Sequence, residues 1–133
     1  MIYDLRNNLV HGVSVKPGST NDVTGAGVDM NNTDATVHAI FTLGDATGSP
    51  TSYAQAYKLQ ESDTSGGTYT DIPGATASLA DAVPGTNNGN VTVIRTALRS
   101  KRWVRAFVDV TITGGSTPTV PVTVTIHGLK KVL

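Results

Sequence analysis

Cysteine is absent from the sequence, which excludes a disulfide framework, a thiolate nucleophile and a cysteine-based zinc site, and leaves the redox compartment unread. Aromatic residues are scarce at 5%, with Trp103 the sole tryptophan, so a core has to be filled by Val, Ile, Leu and Ala through many short contacts. Neither sign of charge is in excess. Ten basic side chains balance ten acidic ones, whereas nucleic-acid-binding domains usually carry a clear surplus of Lys and Arg. No stretch approaches the ~20 apolar residues of a membrane-spanning helix. The start, Met1-Ile2-Tyr3-Asp4-Leu5-Arg6, lacks the basic region and apolar run of a secretory leader. These absences point to a soluble protein made inside the cell, with neither nucleic acid nor membrane as a partner.

What is present points to strands. The 133 residues fit one domain, long enough to bury roughly two-thirds of the unfolded surface. Twenty threonines and 14 glycines suit pleated surfaces and tight turns. From Lys101 on, Val104, Ala106, Val108, Val110 and Ile112 share one parity, while Trp103, Arg105, Phe107, Asp109 and Thr111 share the other. After Gly114 to Pro118 the pattern returns, with Val120, Val122, Val124 and Ile126 opposed by Thr119, Thr123, Thr125 and His127. A period of two gives one face to a core and one to water or a partner. The two runs are expected to form antiparallel strands joined by the glycine-rich link.

Earlier in the chain, Leu9 to Val15 reads as a strand ending at the turn Lys16-Pro17-Gly18-Ser19, and Asn21 to Asp34 as a loop with a short strand around Val23 to Val28. Thr36 to Leu43 places Val37, Ala39, Phe41 and Leu43 on one face. Tyr53 to Glu61 is a strand with Tyr57 and Leu59 on one parity and Lys58 and Gln60 on the other. Thr68 to Ile72 is a short extended piece ended by Pro73-Gly74, and Ala75 to Ala82 fits either a strand or a helical turn. Turn residues Pro84-Gly85 and Asn87-Asn88-Gly89 precede a strand from Val91 to about Ala97. Seven to nine strands with no helical crossover imply an all-β fold, an antiparallel β-sandwich or jelly roll with long Gly/Asn-rich loops, over residues 1–133, with 1–8 an N-terminal arm.

The segment Tyr57-Lys58-Leu59-Gln60-Glu61-Ser62-Asp63-Thr64-Ser65-Gly66-Gly67-Thr68-Tyr69-Thr70-Asp71-Ile72-Pro73-Gly74-Ala75 resembles a strand, turn and strand of small tailed-phage virion proteins. Arg102-Trp103-Val104-Arg105-Ala106-Phe107-Val108-Asp109-Val110-Thr111 resembles the long strand that follows it there. With the N-terminal arm, the pattern is similar to capsid cement or decoration proteins, including the Bbp16-like group, over roughly residues 53 to 133. The resemblance implies a β-domain on the outer surface of an icosahedral shell, made in the host cytoplasm, binding the major capsid protein and assembling as a trimer. It brings no catalytic residues and no cofactor. A receptor- or carbohydrate-binding β-domain of a phage tail or fibre is the alternative.

Arg95, Arg99, Lys101, Arg102 and Arg105 gather half of the cations in eleven positions, as a solvated strand face, as a surface for an acidic capsid or, least of the three because Trp103 and Phe107 alone make a thin stacking platform, as a surface for a phosphate backbone. Trp103 and Phe107 lie opposite the Val104 parity, so they are covered by the chain's own loops or meet another subunit. The expected contact residues are therefore Arg99, Lys101, Arg102, Trp103, Arg105 and Phe107, with Ile2, Tyr3, Leu5 and Arg6 from the arm. The run Asp29-Met30-Asn31-Asn32-Thr33-Asp34 is rich in oxygen ligands but lacks the spacing and closing Glu of an EF-hand, which favours an Asx-rich turn over calcium. His11, His38 and His127 are far apart in sequence, and no nucleophile elbow or phosphate loop is present, so no catalytic or metal role is expected.

Overall fold

A computed structural model describes residues 2–13, 22–85 and 91–132. The turns expected at 16–19 and 87–89, and Met1 of the arm, lie outside the described residues. Nine strands are present among the described residues: β1 (Ile2–Val13), β2 (Val23–Thr24), β3 (Val28–Asp29), β4 (Thr33–Leu43), β5 (Ser52–Ser62), β6 (Thr70–Ala82), β7 (Val91–Leu98), β8 (Trp103–Thr113) and β9 (Val122–Val132). They form two antiparallel sheets, one in the order β1-β9-β4-β7 and one in the order β2-β8-β5-β6, with β3 also pairing β8. The fold is the expected all-β sandwich.

The chain changes sheet at every link after β3 except β5 to β6, and this overturns one expectation. β8 and β9 are not partners: β8 pairs with β5 over the full register from Ser52↔Thr113 to Ser62↔Trp103, while β9 pairs with β4 and β1. The link through Gly114 to Pro118 crosses the sandwich beside the β4–β5 link. The two are laced together by the Thr47↔Thr119 bridge, Ser116 N–H donating to Gly48 O at 2.8 Å and Gly44 N–H to Pro121 O at 3.1 Å. Gly114 and Gly115 take φ of 72° and 89° there, values that a β-carbon disfavours.

The core lies between the sheets and follows the period of two. Val37, Ala39, Phe41 and Leu43 face Tyr53, Tyr57, Leu59, Val104, Ala106, Val108 and Val110, and all are buried. Phe41 and Tyr57 meet edge to face across the gap, centroids 5.7 Å apart, a favoured aromatic geometry. Two polar side chains of β5 in the core are paired with each other and with the other sheet's backbone: the Tyr57 hydroxyl lies 2.6 Å from Gln55 Oε1 and 3.1 Å from Thr42 O, and Gln55 Nε2 donates to Gly44 O at 2.6 Å.

Ala75–Ala82 proves to be strand, continuous with Thr70–Ile72 as β6. Opposite β5, the register passes from Lys58↔Thr76 to Gln60↔Asp71, so β6 carries three extra residues around Pro73-Gly74. Their bulge reverses the parity, which lets both Ile72 and Ala75 be buried. The stretch expected as an arm is, from Ile2 onward, the first part of β1, paired with β9 from Ile2↔Val132 to Val13↔Val124 with an irregularity between Asp4 and Leu9.

Candidate binding face

The fold disperses the cations that sequence places together. Arg95 sits on β7 in one sheet, Arg105 on β8 in the other, and Arg99, Ser100, Lys101 and Arg102 turn the corner between them. At that corner Arg99 is half-buried among acceptors: Nη1 donates to Lys101 O at 2.7 Å, and Nη2 lies 2.7 Å from Met30 O, 2.9 Å from Asp34 O and 3.1 Å from Thr33 O. Its Nε is buried without a partner, and desolvation pulls its pKa down. Arg99 therefore fastens the corner to the β3–β4 turn and is not free for a partner. Glu61 does the same from below, accepting from Ser100 N–H at 2.7 Å, Ser100 Oγ–H at 2.6 Å and Lys101 N–H at 3.1 Å. Burial pushes its carboxyl up, but these donors together outweigh it and hold the pKa below the usual range.

Arg102 is turned outward and neutralised by Asp29, with Nε and Nη2 at 2.8 and 2.6 Å from its two oxygens. That fork holds Asp29 well below the ordinary carboxylate pKa, from 3.8 to about 2. Lys101 Nζ is 4.0 Å from Asp63. Arg105 is different: its guanidinium lies 4.0 Å from the Tyr69 ring centroid and its Nε donates to Gln60 Oε1 at 3.0 Å, with no carboxylate partner among the described residues.

Arg105 belongs to a continuous outward face on the larger sheet. Trp103, Arg105, Phe107, Asp109 and Thr111 stand on β8 opposite Ser62, Gln60, Lys58, Ala56 and Ala54 of β5. Beyond β5 stand Asp71, Thr76 and Ser78 of β6. Lys58 Nζ sits 5.1 Å from the Phe107 ring centroid and is held there by Asp71 at 2.9 Å. Trp103 is partly covered by the β2–β3 link, where a β-carbon on Gly27 would lie 3.5 Å from the indole Cε3, and by the guanidinium of Arg102. The chain's own link therefore covers part of Trp103 and Lys58 covers part of Phe107, and both aromatics stay partly exposed. Below Phe107 the face sinks into a depression of about 250 Å³ lined by Ala56, Lys58, Thr76, Ser78, Phe107 and Asp109. A second, of about 140 Å³, continues it past Ala54, Ala80 and Thr111.

Sequence reasoning did not find this trough, because alanine, serine and threonine carry no signal of their own. It also missed two features of the opposite sheet. Ile94 and Leu98 on the edge strand β7 are 64% and 72% exposed. His38 and His127, distant in sequence, are register partners on β4 and β9; no third metal-ligating side chain groups with them among the described residues. The Asp29–Asp34 run is the Asx-rich turn, with Asn31 N–H donating to Asp29 and Thr36 N–H to Asp34. Ile2, Tyr3, Leu5 and Arg6 lie on edge strand β1 of the smaller sheet, whereas the Trp103 face belongs to the larger one.

No protein-family model matches the chain, and no curated protein matches it. Among solved structures it is similar to dimeric latent PorU from Porphyromonas gingivalis, with a TM-score of 0.57 and 9% identity, covering 98% of this chain and 13% of that one. It is also similar to the SPBc2 prophage-derived protein YomS, at a TM-score of 0.49 and 13% identity, covering 92% of this chain and 96% of that one. A third is VP2 of the infectious bursal disease virus subviral particle, at a TM-score of 0.45 and 10% identity, covering 92% of this chain and 33% of that one. At these identities the likeness is one of fold alone. The chain spans only a small part of PorU's length.

Proposed function

We propose that the chain is a structural virion protein, a capsid cement or decoration domain that binds the assembled major capsid protein on the outer surface of the shell. The observation that carries this reading is the β5–β8 pairing: the two segments that resemble phage virion proteins lie side by side from Tyr57↔Val108 to Ser62↔Trp103. Their outward side chains form one surface. That surface holds a partly exposed Trp, a Phe and an Arg without a carboxylate partner among the described residues, with Tyr69 of the β5–β6 link against the Arg, the residue types that dominate binding energy at interface centres. A domain that binds the assembled shell and not its free subunits stabilises the shell by mass action.

Docking falls to Trp103, Arg105 and Phe107, because Arg99 is committed to the corner and Arg102 to Asp29. Capsids stripped of the protein should rebind the wild type. Arg105→Ala should weaken rebinding by about tenfold or more, and Arg102→Ala by much less. Equal binding by Arg105→Ala and wild type would reject this face. The edge strand β1, with Ile2, Tyr3, Leu5 and Arg6, supplies the second contact, and removing residues 1–6 tests it in the same assay.

Copies associate as a trimer, and the contact lies on β7. The outward row of that edge strand, Thr92, Ile94, Thr96 and Leu98, carries no charge to discourage pairing. Light scattering should give a trimeric mass for the wild type and a monomeric mass for the Ile94→Glu/Leu98→Glu variant. A monomeric wild type at high concentration would contradict it.

A further inference from the structure

We infer that the trough on the outward face of the larger sheet is a binding site for a neutral saccharide. Its floor is Ala54 and Ala56 of β5, whose lack of side-chain bulk makes the depression. One wall is the β8 row Phe107, Asp109 and Thr111, and the other is β6 with Thr76 and Ser78. The two depressions share Ala56, Ser78 and Asp109, so they are two halves of one groove. It spans three side-chain rows spaced about 7 Å apart along the strands.

Apart from Lys58, which Asp71 holds, the polar side chains of the groove are uncommitted. Asp109 has no hydrogen-bond or ion-pair partner among the described residues, and neither do the hydroxyls of Thr76, Ser78 and Thr111. A carboxylate only accepts, while hydroxyls both donate and accept, and Lys58 adds a donor at one end. An apolar floor, an aromatic edge and this mixture of donors and acceptors match a pyranose ring, with its apolar C–H face and its rim of hydroxyls.

Other ligand classes fit less well. An anion meets the unpaired Asp109. A cation finds Lys58 already beside the Phe107 ring. An extended peptide lying along the floor finds no strand edge there to pair with, because β5 is hydrogen-bonded to β6 on one side and β8 on the other. The 250 Å³ half falls below the about 300–1,000 Å³ of drug-sized pockets, which suits one ring per half and a disaccharide over both.

The test is an amide NMR titration of the full chain with maltose, cellobiose, lactose and N,N′-diacetylchitobiose, and with 3′-sialyllactose as the charged comparison. At least one neutral disaccharide should shift the amides of Ala56, Ser78 and Asp109 at millimolar concentration. Ala56→Trp should fill the groove and abolish the shifts, and Asp109→Ala should weaken binding roughly tenfold, the loss of a hydrogen bond to a charged group. Both positions face outward, so melting curves establish that each variant is folded, and Asp109→Ala decides if Ala56→Trp does not fold. No shift with any neutral disaccharide, shifts elsewhere, unchanged binding by a folded variant, or tighter binding of sialyllactose would each overturn the proposal. Trp103→Ala, at a position that lines neither depression, separates this site from the docking surface: it should weaken capsid rebinding and leave the sugar shifts unchanged.

Discussion

At the scale of the residue, the sandwich is set by side chains that have one place to go. Val108 is fully buried between the sheets, so Val108→Asp should cost at least about 3 kcal/mol, since an unpaired carboxylate would be forced into the core. Denaturant unfolding measures this, and an unchanged midpoint would remove the core assignment. Protonation acts on the same scale. Asp29, Asp45, Glu61 and Asp71 all have carboxyl pKa values held below the usual range, so the unfolded chain takes up more protons than the folded one as pH falls. Stability should be full above about pH 5 and lost progressively from about 4 toward 2, the folded value of Asp29. Tyr53 runs the other way. Burial first, and then its bond to Asp45, push its phenol from 10.0 up to about 12, and burial raises Tyr57 as well. Stability should therefore fall again above about pH 10. Melting temperatures across pH give both limbs, and Glu61→Gln should shrink the acid limb. A flat profile between pH 2 and 5 would contradict the ion-pair and capping assignments.

At the scale of the element, what is legible in sequence is the face of each strand and not its partner. Val104 to Ile112 and Val122 to Ile126 are buried on the parity expected, because period-two burial is a local property. Their pairing is not local. A glycine-rich link between two alternating runs suits a hairpin or a crossing equally well, and here the crossing wins because the Gly44–Thr51 link laces against it. The cation cluster shows the same limit. Density along the chain says nothing about a corner that sends Arg95 and Arg105 to different sheets and turns Arg99 onto backbone carbonyls. β6 shows what a single glycine contributes: Gly74 has φ of 79° in the bulge and open space where a β-carbon would stand. Gly74→Ala should thus cost about 1 kcal/mol from backbone strain alone, whereas Gly66→Ala, equally open and without a positive φ, should cost little. Equal unfolding midpoints for the two variants would show that the bulge does not need its left-handed residue.

At the scale of the whole molecule, the two sheets present different surfaces. The smaller one presents edge strand β7 with Ile94 and Leu98 exposed, suited to meeting a second copy. The larger one presents the Trp103, Arg105 and Phe107 face and the trough beside it. Of this surface only the β8 half, Trp103, Arg105 and Phe107, was legible as a binding candidate. The rest is assembled from Tyr69, Lys58 and small residues of β5 and β6 brought together by register. The central claim is that the larger sheet's outward face docks on a capsid shell. A reconstruction of the virus particle to side-chain resolution tests it most directly. The account predicts three copies grouped on the outer surface of the head, with Trp103 and Arg105 against the major capsid protein. Density for the chain on the tail, or on the head with that face turned to solvent, would contradict it.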